Sequence, residues 1–237
     1  MDKQIRKLQL DILDIFKKNT KDFALAGGTA LELYYLNHRF SADLDFFSPL
    51  HDLKEIEDLI FAFKRSFKCN IKLEQEFSFS QRAKARFYIV SLKGFKRPLK
   101  IDFIEDVIFS KPEINRIEGL PVYSAENIYL QKIYALSGMA TQIDEIGRPI
   151  FKGRGEARDV FDIYMLSKKI KPLSLLLKNV SPTLQRGIVH WYRTFSRQEI
   201  KISVLDLDIY DKKFNAQEMI VYLENEIKKF IKEEFLE

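Results

Sequence analysis

Two aspartates one residue apart inside an apolar segment constrain this chain more than any other feature. The segment reads Ser41-Ala42-Asp43-Leu44-Asp45-Phe46-Phe47. Strand interiors disfavour Asp. If 43–47 is extended, Asp43 and Asp45 share a face, because side chains alternate along a strand. Two carboxylates on one face repel each other unless a cation lies between them. Just upstream, the apolar run 23–26 ends in Gly27-Gly28, so a strand enters a tight turn with glycine's backbone freedom. Thr29 is placed to cap a helix over 30–36, with Glu32 in its first turn. The amides of such a turn and helix start suit an anion, above all the phosphates of a nucleotide. Ser41, two residues before Asp43, could bind a phosphate or position the loop. A further aspartate, Asp102, stands in the apolar run 99–104. Three aspartates in two strands need partners, and Mg²⁺ held by carboxylates and substrate phosphates would supply them. The spacing alone recurs at Asp206-Leu207-Asp208 without a glycine turn before it, so the weight rests on the combination.

The rest of the first half follows by periodicity. Apolar positions at Ile5, Leu8, Ile12, Leu13 and Phe16 predict an amphipathic helix over 2–18, and Leu53, Ile56, Leu59, Ile60 and Phe63 predict another over 53–66. The runs 44–47, 71–79, 85–92 and 99–104 read as strands, with Ser48-Pro49 and Lys93-Gly94 as breaks. This order predicts an α/β (α+β) unit built on one mixed sheet with flanking helices. From Pro121-Val122-Tyr123-Ser124 onward the patterns turn helical, over 125–136, 157–168, 173–180, 183–194 and 216–235. Two domains are expected: 1–120, and a mostly helical 121–237 that contributes to the active site. The polar stretch between Ser137 and Gly155, with Gly138, Gly147, Pro149 and Gly153, is longer than a usual connection and reads as a mobile or substrate-facing loop.

Composition narrows the class. The chain has 237 residues, enough for a sizeable core, and a formal net charge of +5, which suits a polyanionic partner without demanding one. The single cysteine, Cys69, rules out an intrachain disulfide and a Cys-based zinc site. No apolar run is long enough for a membrane span, and the N-terminal residues carry no secretory h-region, so a cytoplasmic location is expected.

In the second half, Lys132 shares a helix face with Ile128 and Leu136, where it either snorkels or reaches a polyanion. Arg158 and Asp162 stand at i, i+4, the spacing of a structural ion pair, which leaves Asp159 for another role. His38, His51 and His190 form no ligand spacing, and His38 is expected at the surface. The basic segments 82–86 and 93–100 read as solvated faces or as a path for nucleic acid.

Taken together, Gly-Gly-Thr-Ala-Leu at 27–31, His-Arg-Phe-Ser-Ala-Asp-Leu-Asp-Phe at 38–46, and Arg-Asp-Val-Phe-Asp at 158–162 behind Lys132 resemble the AbiEii-type nucleotidyltransferases. These are abortive-infection and type IV toxins, related to the MenT toxins, within the DNA polymerase β-like superfamily. The resemblance runs in order over residues 20–170. It implies a nucleotidyltransferase core followed by a helical domain. It also implies a metal-dependent enzyme, using Mg²⁺ or Mn²⁺, that moves NMP from an NTP to an acceptor hydroxyl and releases pyrophosphate. Gly27, Gly28, Thr29 and Ser41 would bind the nucleotide, and Asp43 and Asp45 the metal, with Asp102 as the superfamily's third carboxylate. Lys132 would contact the nucleotide phosphates. Asp159, chosen ahead of Asp162, would be the second-domain acid or base. The expected acceptor is RNA, with the tRNA 3′ end foremost, and the expected partner is a cognate antitoxin. Transfer onto a protein side chain, as in AMPylation, and a catalytically silent binding module of the same fold are the alternatives.

Overall fold

Asp2 opens the first helix by accepting hydrogen bonds from the amides of Gln4 and Ile5, at 3.0 and 3.2 Å, and α1 runs Lys3–Asn19. The computed structural model describes residues 2–67, 69–78, 83–95, 97–138, 142–143, 149–150 and 153–235. After α1 come β1 (Ala24–Ala26), a short helix α2 (Gly27–Ala30) that widens into a π-helical turn (Leu31–Leu36), β2 (Leu44–Ser48) and α3 (Leu53–Phe67). Then follow β3 (Asn70–Phe77), β4 (Ala85–Ser91), β5 (Leu99–Glu105), β6 (Ile114–Ile117) and β7 (Leu120–Tyr123). Phe79, Arg82 and Lys96, which the sequence reading placed in a strand and two basic edges, lie outside the described residues.

These strands form one seven-stranded mixed sheet in the order β3-β4-β5-β2-β1-β7-β6. Central β2 runs antiparallel to β1 and parallel to β5, while β7 joins the far side of β1 in parallel. One face of the sheet is apolar and covered. Phe46 on β2 stacks on Phe16 of α1 at 4.0 Å and lies 5.3 Å from Phe103 on β5. Ile56, Leu59, Ile60 and Phe63 of α3 are buried, and Glu57 of α3 pairs with Arg86 on β4 at 3.2 Å. Both helices therefore lie on the face of Phe46, Arg86 and Phe103. The alternate residues Asp45, Phe87 and Asp102 point to the other face.

The sheet is larger than the sequence suggests. β6 and β7 form a hairpin whose turn residues, Glu118 and Gly119, take φ of 50° and 83°. Positive φ at both positions marks the turn that matches strand twist. The stretch 121–123, read only as the boundary before the helical half, is thus a fully buried strand. Asn37, at φ 46°, closes the π-helical turn, its amide donating to Glu32 O at 3.1 Å.

The chain divides into two compact units, Met1–Asn127 and Ile128–Glu237. The division falls in the first turn of α4 (Ala125–Ser137). The second unit continues with a ribbon of β8 (Gln142–Ile143) and β9 (Pro149–Ile150), then α5 (Ala157–Lys169), α6 (Leu173–Leu177), α7 (Pro182–Thr194), α8 (Arg197–Ser203) and α9 (Ala216–Phe235). The stretch read as a loop thus carries a short ribbon; Gly147 lies outside the described residues. Leu166 of α5, Leu177 of α6, Ile188 of α7, Ile200 of α8 and Ile227 of α9 are all buried. No helix among the described residues is long and apolar enough to cross a membrane.

Candidate active site

The first unit gathers Gly27, Gly28, Ser41 and Asp45 by close backbone approach. β1 and β2 pair so that Ala26 stands opposite Asp45. The chain therefore turns at Gly27 directly beside that aspartate. Gly27 takes φ +66°, and a Cβ there would overlap the Asp45 carboxylate, coming within 2.7 Å of its Cγ. A Cβ on Gly28 would meet Ser41 Oγ at 2.7 Å and Arg39 Nη2 at 2.9 Å. Both glycines are thus required by their neighbours, Gly27 by its φ as well. The amides of the first helical turn lack intrahelical acceptors. They open beside a carboxylate, a hydroxyl and a guanidinium.

The helix begins at Gly27, not behind a Thr29 cap: the position before it, Ala26, makes no side-chain cap bond. Thr29 is inside α2 and fully buried, and its hydroxyl donates to the carbonyl of Asp43. The expected cap is therefore a strut that ties the helix to the aspartate loop. Gln9 on α1 reinforces it, donating through Nε2 to Ser41 O at 3.0 Å and to Asp43 O at 3.4 Å. Glu32, only 4% exposed, accepts from the Ser41 amide at 2.8 Å and from Arg6. His38, expected at the surface, is 3% exposed, and Arg39 next to it is 4% exposed.

Asp45 and Asp102 are register partners on the parallel strands β2 and β5. They share the open face, and Asp45 is also the residue against which the chain turns at Gly27. Asp43 precedes the first paired residue of β2, Leu44. Asp43, Asp45 and Asp102 are all half-buried.

The second unit draws Lys132, Asp159 and Asp162 together. Lys132 Nζ lies 2.6 Å from Asp159 Oδ1 and 2.9 Å from Asp162 Oδ2. Both carboxylates are completely buried and Lys132 is nearly so. Arg154 Nη2 stands 3.3 Å from Asp159 Oδ2. The spacing of the sequence left Asp159 for another role; the structure shows it ion-paired to two cations. Arg158 pairs with Glu156. Sequence reasoning gave no role to Gln9, Arg39 or Arg154, and read Glu32 only as a first-turn helix residue. Only Arg39 had a local signal, its place beside the loop that carries the aspartates.

A mixed sheet with a glycine turn set against strand aspartates is the fold of a nucleotidyltransferase. The chain is similar over 98% of its length to the crystal structure of a candidate nucleotidyltransferase from H. pylori, covering 96% of that chain at 22% identity with a TM-score of 0.58. It is similar to the same extent to JHP933 from Helicobacter pylori, at 22% identity and a TM-score of 0.57. No curated protein matches the chain. The family described as nucleotidyl transferase AbiEii toxin of the type IV toxin–antitoxin system matches residues 11–232, and the chain belongs to that family. It is a nucleotidyltransferase of the toxin class, whose family implies an NTP substrate and an antitoxin partner.

Proposed function

We propose that this enzyme moves a nucleoside monophosphate from an NTP to a 3′-terminal hydroxyl of RNA, with tRNA the foremost acceptor. It does so as the toxin of an abortive-infection pair. The observation that supports this reading best is the seat of the glycine turn. Gly27 and Gly28 leave no room for a Cβ against Asp45, Ser41 and Arg39. The turn's amides and an aspartate are thereby held within one residue's reach, as a triphosphate and its counter-ion require.

In this reading Gly27, Gly28, Ser41 and the amide of Thr29 bind the triphosphate, and Asp43 and Asp45 would hold Mg²⁺ or Mn²⁺, with Asp102 adjacent. Among the described residues no group of three or more His, Cys, Asp or Glu is arranged to hold a metal ion. Mg²⁺ is commonly held by one or two carboxylates together with substrate phosphates. An aspartate pair beside a phosphate-binding turn therefore fits it. Bound there, the ion would neutralise charge on the triphosphate and the leaving pyrophosphate.

The acceptor oxygen forms a bond to the α-phosphorus as the bridging bond to the β-phosphate breaks. Pyrophosphate carries away the electron pair, and the turn's amides stabilise it. The hydroxyl proton passes to a carboxylate, the role that the family resemblance implies for Asp159. Asp159 is held by Lys132 and Arg154.

Incubation with labelled NTPs, Mg²⁺ and either tRNA or total protein tests the proposal. Label should enter RNA with release of pyrophosphate, and Asp43→Ala should abolish transfer. Label in protein alone would replace the acceptor, and an active Asp43→Ala enzyme would overturn the metal assignment.

A further inference from the structure

The open face of the sheet continues past Asp102 onto β4 and β3. Register places residues in rows across that face. One row runs Gln75, Phe87, Asp102, Asp45, from edge strand β3 inward to β2. The next row toward the N-terminal end of β5 runs Lys72, Ile89, Lys100. Phe77, two residues beyond Gln75, meets Phe87 edge-to-face with centroids 5.7 Å apart. A cleft of about 250 Å³ is lined here by Glu74, Gln75, Phe77, Phe87, Lys100 and Asp102, among others. Both phenylalanines are half-buried, while Lys72 and Lys100 are exposed. Helices α1 and α3 lie on the opposite face, so among the elements of the first unit they do not cover this one.

We infer that this face seats the 3′-terminal nucleotide of a single-stranded RNA acceptor; the inference rests on RNA being the acceptor. Each part of a terminal nucleotide meets a group suited to it. Bases of single strands are gripped by stacking on aromatic rings, which Phe77 and Phe87 offer. Gln75 and Glu74 provide a donor and acceptors at the rim for a base edge. Lys72 and Lys100 form a two-cation row for the preceding phosphates. Asp102 follows Lys100 by two residues on one face of β5, about 7 Å along the strand. It stands beside Asp45, where the terminal hydroxyl has to arrive. The cleft is smaller than the roughly 300–1,000 Å³ of ordinary ligand sites. It fits one nucleoside at the end of a strand better than a folded protein segment.

The test separates this inference from the functional reading. Binding of a fluorescent single-stranded oligoribonucleotide to the full chain is followed by anisotropy across a salt series, without NTP. Phe87→Ala should weaken binding about tenfold, the range of one lost base stack. The charge reversal of Lys72 and Lys100 to Glu, both on exposed side chains that the fold does not need, should weaken it at least as much and flatten the salt slope. Phe61→Ala, an exposed position on α3, should bind like the wild type. In the transfer assay, Phe87→Ala should raise the KM for RNA and leave the KM for NTP unchanged. Wild-type transfer to RNA with unchanged oligonucleotide binding and RNA KM in both variants overturns the inference and leaves the functional reading standing. Labelling of protein alone removes the functional reading, and failure of the wild type to bind the oligonucleotide then removes the inference as well.

Discussion

Replacing Gly27 by Ala separates two costs that a glycine usually hides together. The first is backbone strain. Gly27 sits at φ +66°. An L-residue forced into the left-handed region loses about 1–2 kcal/mol. For a chain of this length that lowers Tm by about 2–8 °C. The second cost is local. The new Cβ would stand 2.7 Å from Asp45 Cγ and nearer still to Oδ2, so the carboxylate has to withdraw by at least about 0.7 Å to reach the 3.4 Å of ordinary contact. Misplacing a reacting constellation by about 1 Å costs about 100-fold in rate. Gly27→Ala should therefore lose a few degrees of stability and about two orders of magnitude in nucleotide transfer.

Gly119→Ala provides the control. Gly119 takes φ +83° in the same unit, yet a Cβ there meets nothing within 4 Å. It should lose comparable stability and keep its activity. Thermal unfolding of both variants, with transfer measured well below Tm on labelled NTP and RNA, decides the matter. Gly27→Ala retaining near-normal transfer, or Gly119→Ala losing as much as Gly27→Ala, would refute the reasoning.

Four further outcomes are expected. Asp45→Ala should abolish transfer while its unfolding free energy stays within about 1 kcal/mol of wild type, because a half-buried strand carboxylate contributes little net stability. Glu32→Gln should cost about 1–3 kcal/mol in urea unfolding, since it takes the carboxylate partner from the half-buried Arg6. Lys132→Met should destabilise by about 3–5 kcal/mol, because Asp159 and Asp162 would be left buried side by side without their shared ammonium. Burial pushes the His51 imidazole below its ordinary value of 6.5. The unfolded chain then binds the proton more tightly, so this contribution is complete above about pH 6.5 and is lost as pH falls from there through the folded value. Unfolding of wild type between pH 5.5 and 7.5 should show that slope. His51→Asn, a residue tolerant of the φ of 44° at this position, should flatten it.

What could be read from the sequence was whatever the chain declares within a few residues. Helices α1 and α3 and strand β5 carry their periodicity on the surface of the sequence, and they stand within a residue or two of expectation. The hairpin β6–β7 was not legible, because Glu118-Gly119 is a weaker turn signal than Asn-Gly and Pro121 argues against a strand. Helix α8 was not read from the sequence, and its one local signal is Ser196, whose hydroxyl accepts from the Glu199 amide, with Glu199 completing the pattern of a capping box. His38 looked like a surface residue because nothing near it in sequence predicts its 3% exposure.

The site divides along the same line. The residues that would touch substrate, Gly27 to Asp45, are close in sequence and could be named from it. The residues that fix where they stand come from elsewhere: Gln9 and Arg6 lie on α1, one turn apart. These supports act on the backbone of the loop. Glu32 holds the Ser41 amide, Gln9 the Ser41 carbonyl, and Thr29 the Asp43 carbonyl. A carboxylate's position is thereby set through the chain that carries it. Thr29→Val, which keeps volume but removes the hydroxyl, leaves the Asp43 carbonyl only the longer bond from Gln9, at a cost of about 1 kcal/mol. The loss should appear in transfer rate as well as in stability, because the same bond that holds the fold together also holds Asp43 in place.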